Sequence, residues 1–120
     1  MNPMQGEVEA YTTSDMETVM AFLVSSIGPL STDCASDQDP QIYAFESTTV
    51  VLGASEDGFL SVWIRGDLRW QTSLAFGRYL AAVLDGVVRC DPGREFPDVS
   101  TYSNIFLHIE GGVESLVNWE

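Results

Sequence analysis

Apolar and polar positions alternate over Glu7–Thr12, where Val8, Ala10 and Thr12 oppose Glu7, Glu9 and Tyr11. A period of two sends successive side chains to opposite faces, so this segment predicts a β-strand with one polar face. The period then changes. Met16, Val19, Met20, Leu23 and Ile27 fall at i, i+3, i+4, i+7 and i+11, a single stripe of an α-helix. Ser14-Asp15-Met16-Glu17 has the spacing of a capping box, with Ser14 accepting from the Glu17 amide, and Gly28-Pro29 marks the stop. Ser31–Pro40 is polar, acidic and without period. Three β-rich runs follow, Gln41–Phe45, Thr48–Gly53 and Phe59–Arg65, with Ser55-Glu56-Asp57-Gly58 as a hairpin turn between the last two. Thr48–Leu52 and Phe59–Ile64 are apolar on both faces, which predicts central strands.

A second helix is expected from an N-cap at Thr72 through Asp85, with Phe76, Leu80, Val83, Leu84 and Val87 on one face and Gly86 as C-cap. Gly77 inside it costs up to about 1 kcal/mol against Ala, which predicts close packing at that point. Val87–Cys90 reads as a short strand ended by Asp91-Pro92-Gly93, and Glu95–Ser103 as loop. Asn104–Glu110 and Val113–Trp119 flank Gly111-Gly112 as a hairpin with a two-residue turn. Strands in succession with short turns pair antiparallel, and two amphipathic helices can cover one face of their sheet. The expected fold is therefore α+β: a two-layer sandwich, mainly antiparallel, with two helices packed on one face and the other face partly open. At 120 residues and 45% hydrophobic, the chain is expected to form a single domain over 1–120.

Charge adds what the pattern does not contain. The chain has 18 acids against five bases, a net charge of −13, and all five bases are Arg. From Met1 to Ile64 there are ten acids and no Lys, Arg or His; the remainder holds eight acids and all five Arg. A folded surface ordinarily intersperses both signs, so the field of this one is expected to be lopsided. Such a chain cannot neutralise a row of phosphates, which excludes nucleic acid and anionic lipid as partners. Met1–Tyr11 lacks the basic and apolar regions of a signal peptide, and Val19–Val24 is far too short to span a bilayer. A cytoplasmic protein with Cys34 and Cys90 as free thiols is expected.

No catalytic constellation emerges. Arg89 beside Cys90 could lower a thiol pKa, but a thiol enzyme needs a base, and nothing places His108, the sole histidine, next to Cys90. Cys90 reads as a packed thiol and His108 as a hydrogen-bonded strand residue. One His and two distant Cys do not make a zinc site. Asp33, Asp37 and Asp39 suggest calcium, but counting from Asp33 the sixth and twelfth positions are Gln38 and Ala44, where an EF-hand needs Gly and Glu. Neither cofactor nor metal is expected, and no enzymatic activity. Trp63, Trp70 and Trp119 read as core and core-edge residues, with Trp70 set apart because it lies in a connection.

A small acidic chain without catalytic machinery suits an inhibitory binding protein, since acidic faces steer toward positive clefts such as those of nucleases. In size, acidity and lack of motifs it resembles the immunity proteins of bacterial polymorphic-toxin and contact-dependent inhibition systems. That resemblance implies a cognate toxin domain from the same locus as partner; the acidity of the chain implies that this domain is basic and that its active-site cleft is occluded, and the protein is expected to be a monomer or weak homodimer. Immunity proteins vary too much for residues to be carried over, so the partner-binding candidates come from the charge map: Asp33, Asp37, Asp39, Glu46, Glu56 and Asp57, with Glu7 and Glu9 in reserve. The alternative is an acidic secretion chaperone holding an effector segment through an exposed apolar groove.

Overall fold

The computed structural model describes residues 6–32, 41–55, 57–66, 68–93, 96, 98, 99 and 104–119. Among these residues eight strands run β1 Gly6–Thr12, β2 Ser31–Thr32, β3 Gln41–Phe45, β4 Thr48–Ala54, β5 Leu60–Gly66, β6 Val88–Cys90, β7 Ile105–Glu110 and β8 Val113–Asn118. Two helices interrupt them, α1 Met16–Ser26 after β1 and α2 Ser73–Val83 after β5. All the strands form one sheet in the order β2-β3-β4-β5-β1-β6-β7-β8, and every neighbouring pair is antiparallel. The fold is an α+β sandwich of the predicted kind.

Two meanders, β2–β5 and β6–β8, are joined through β1, which lies between β5 and β6. Because both neighbours run antiparallel to β1, they run parallel to each other, and the chain must cross over to link them. α2 is that crossover, and it packs on β1 and β6. Register places Val8, Ala10 and Thr12 beside Ile64, Val62 and Leu60, all buried on the helix side. Val50, Leu52, Val88, Leu107 and Ile109 extend this layer, and Val19 and Leu23 of α1 and Leu74, Phe76 and Leu80 of α2 close it from above. Phe22 of α1 meets Tyr79 of α2 with ring centroids 5.3 Å apart.

The N-cap of α1 is Asp15, whose carboxylate accepts the Thr18 amide at 2.8 Å; the expected box on Ser14 does not form. The reason lies upstream. The Thr13 amide donates to the Val87 carbonyl, the Val87 amide to Thr13 Oγ1, and the Ser14 amide to Thr12 Oγ1, so the chain stays extended one residue longer. Thr72 caps α2 as expected, accepting from the Ala75 amide at 3.0 Å. That helix ends at Val83, two residues short of the expected end. Gly86 lies beyond it, where an added Cβ would come within 2.6 Å of Thr13 Oγ1. The glycine thus permits the same approach of two connections that displaces the first cap. Gly77 is packed as predicted: a Cβ there would lie 2.5 Å from Cys90 Sγ. β2, only two residues long, has too few positions to show a period, so the sequence carries no strand signal at Ser31–Thr32.

Candidate functional site: the uncovered face of the sheet

α1 and α2 both lie on one face of the sheet, and no described element covers the other. Strand alternation sends Glu7, Glu9 and Tyr11 of β1, Ser61, Trp63 and Arg65 of β5, Arg89 of β6, and Phe106, His108 and Glu110 of β7 to that face. Insertion of β1 between the meanders makes them neighbours: Glu9 opposes Trp63, Tyr11 opposes Arg89, and Arg89 opposes His108.

Aromatic rings dominate the part of this face over β6 and β7. Trp119 lies edge-on to Tyr11 at 5.0 Å and to Phe106 at 5.2 Å, and Phe59 completes the cluster at 4.9 Å. The Arg89 guanidinium sits 4.8 Å from the centroids of both Phe59 and Trp119. Its Nε donates to His108 Nδ1 at 3.0 Å, which requires that nitrogen to be unprotonated. His108 Nε2 then carries the proton and donates to Glu110 at 3.0 Å. The imidazole thus bridges Arg89 and Glu110.

The carboxylates on this face find neutral donors. Trp63 Nε1 donates to Glu7 at 2.6 Å, and Trp119 Nε1 donates to Asp57 at 2.7 Å. The Tyr11 hydroxyl bonds Glu9, and its pKa is pushed up to about 12 by burial first and by the Glu9 charge and hydrogen bond second. Indole and phenol orient these acids without cancelling their charge. Four carboxylates, Glu7, Glu9, Asp57 and Glu110, therefore share this surface with two guanidinium groups, Arg65 and Arg89.

Of the acids singled out by the charge map, the described ones are Glu46 and Asp57, and these two lie apart. Glu46 sits in the β3–β4 turn and Asp57 in the β4–β5 turn, at opposite ends of β4. Glu46 adopts φ 54° and lines a small hollow with Phe45, Arg69 and Trp70. Asp33, Asp37, Asp39 and Glu56 lie outside the described residues. The reserve pair Glu7 and Glu9 proves central to the uncovered face. Nothing in the sequence marks Tyr11, Trp63, Phe106 and Trp119 as one surface, because only the sheet order brings β1, β5, β7 and the end of β8 together. Trp70 belongs to the core, 4.8 Å from the Phe76 ring, with Arg69 over its outer side.

Cys90 points to the opposite, helix-covered face, fully buried against Gly77. Burial, aided by the Asp91 charge, pushes its thiol up to about 12, and no thiolate forms at neutral pH. Among the described residues no three His, Cys, Asp or Glu side chains come together as metal ligands, and no helix is long and apolar enough to cross a membrane. No protein-family model matches the chain, and neither does any curated protein or solved structure.

Proposed function

We propose that the protein is an inhibitory binding module that holds a basic toxin domain, a nuclease in the leading reading, against the uncovered face of its sheet. The observation that carries this reading is the pairing of carboxylates with aromatic donors. Glu7, Glu9 and Asp57 are held in place by Trp63, Tyr11 and Trp119, neutral donors that position their negative charge without neutralising it, and Arg65 stands opposite Glu7 in the β1–β5 register. A Lys or Arg side chain arriving there meets a charge-assisted acceptor beside a ring face, and both attract it. The net charge of −13 supplies long-range steering toward a positive cleft. No catalytic role is proposed, because the one described thiol is buried and protonated and the one imidazole is committed to Arg89. A secretion chaperone for an effector segment would use a long apolar groove; the acid-lined face favours a folded basic partner.

The test uses the product of the neighbouring open reading frame as probe. Co-expression should restore growth that the probe's toxic domain arrests, and purified protein should bind it. Glu7→Lys with Glu9→Lys should slow association at least ten-fold, on the order of 1.4 kcal/mol. Reversal of Asp33, Asp37 and Asp39 together reports on the acidic connection separately. Glu114→Lys, on the helix side of the sheet, is the control and should bind like the parent protein. Equal binding by both acid-reversed proteins, with loss only in the control, would make the acidic face a solubilising surface. Turnover by the protein alone that disappears in His108→Ala would replace the binding module with an enzyme.

A further inference from the structure

We propose that β8 is a self-association edge, on which a second copy of this chain pairs its own β8 antiparallel about a two-fold axis at Leu116. β8 is the last strand of the sheet and, among the described residues, pairs only with β7. One hydrogen bond identifies its free backbone groups. The Trp119 amide donates to the Asn104 carbonyl at 2.8 Å, and bonded pairs alternate along an antiparallel ladder. Phe106 with Val117, His108 with Ser115 and Glu110 with Val113 are then the bonded pairs. The N–H and C=O groups of Glu114, Leu116 and Asn118 point away from β7. Such edges are usually blunted by charged side chains, Pro or a bulge. β8 has neither Pro nor bulge, its one charge, Glu114, is paired with Arg78, its register with β7 is unbroken, and Val113 and Leu116 are 68% and 44% exposed.

Two-fold pairing through those outward groups leaves few registers. Centred on Leu116, it sets Leu116 against Leu116, Glu114 against Asn118, Ser115 against Val117 and Val113 against Trp119 of the second copy. Members of each pair share a sheet face, and no carboxylate meets another. Glu114 is already held by Arg78, with Nε and Nη2 at 2.8 and 3.0 Å from its two oxygens. Centring on Glu114 would oppose two carboxylates, and centring on Asn118 would leave half of the strand unpaired. Within a chain of −13 this edge is locally neutral and complementary to itself, which is why the occupant is a second copy. The inference does not depend on the toxin-binding reading, since the edge and the uncovered face are different surfaces.

Pairing of six-residue strands falls at the small end of specific interfaces, so the dimer is a weak one. Repulsion between two anionic copies is relieved by salt, so salt should tighten the dimer while it slows association with a basic partner. Sedimentation equilibrium over a concentration series should show the mass rising from one chain to two, at lower concentration when salt is raised. Leu116→Pro removes an outward amide and leaves the β7 ladder intact, so it should lose the dimer and keep the parent melting temperature. Leu116→Glu places two carboxylates on the axis and should also lose the dimer, which keeps the test decisive if the proline protein fails to fold. Register is read with cysteines in a Cys34→Ser background. Ser115→Cys and Val117→Cys chains, mixed and mildly oxidised, should cross-link, because that non-bonded pair sits about 4.5 Å apart between Cα atoms. Either chain alone should not. A parent protein that stays monomeric at high salt, Leu116 variants that dimerise like it, or a dimer without the 115–117 link overturns the proposal. If the edge takes a strand from a foreign protein instead, Leu116→Pro would abolish that binding while the parent protein stayed monomeric.

Discussion

Gly77 and Cys90 meet where α2 crosses β6, and their contact sets how closely the helix can approach the sheet. An alanine Cβ at 77 would lie 2.5 Å from Cys90 Sγ and 2.8 Å from Cys90 Cβ, both far inside contact distance. The sulfur is fully buried and the strand cannot retreat, since β6 is paired on both sides. Gly77→Ala should therefore destabilise the protein by about 1–3 kcal/mol, the usual cost of overpacking, despite the better helix propensity of alanine. Urea denaturation checks this; an unchanged or raised midpoint would mean the layers part freely. That glycine was conspicuous in the sequence as a helix-interior residue of poor propensity. Its partner was not, because Cys90 lies thirteen positions away in a different element.

Helix α1 gains its start from Asp15, and the energetics of that cap depend on pH. The Thr18 amide holds the Asp15 carboxyl below its ordinary pKa. A carboxylate whose pKa is lower in the folded state stabilises above its unfolded value and loses that contribution as pH falls through the folded one. Asp15→Asn keeps a capping oxygen without the titration, so the stability difference between parent and variant should vanish in strong acid and persist at neutrality. Melting temperatures across the acid range measure this. A difference independent of pH would show that the carboxylate charge is not what caps the helix. Thr72 is legible as a cap, whereas the capping-box spacing points to Ser14, one residue before the Asp15 that caps α1. The helical stripe defines where a helix begins only to within a residue, and hydrogen bonds from Val87, distant in sequence, made the choice.

Across the whole molecule, like charges outnumber unlike ones, so self-repulsion weighs on the folded state. Raising salt from low to moderate ionic strength should raise the melting temperature, because few of the acids have a base to lose. The exposed Arg78–Glu114 pair, the arginine–carboxylate bridge among the described residues, is worth about 0.2–1 kcal/mol and cannot reverse the trend. Thermal melts in a salt series test it; a fall in melting temperature would mean that attractive pairs dominate. At this scale the division between sequence and tertiary structure is clear. The periods of two and 3.6, the turn residues and the charge count are local properties of the chain, and they determined every described strand except β2, both helices, the α+β class and the acidity. The order of the sheet is not local. Only the insertion of β1 between β5 and β6 placed Glu7 beside Trp63 and Tyr11 beside Arg89, and only the pairing of β7 with β8 brought Trp119 onto Phe106. Alternation assigns each side chain a face, but which strands become neighbours is decided by how the two helices bury their apolar stripes against one side of the sheet.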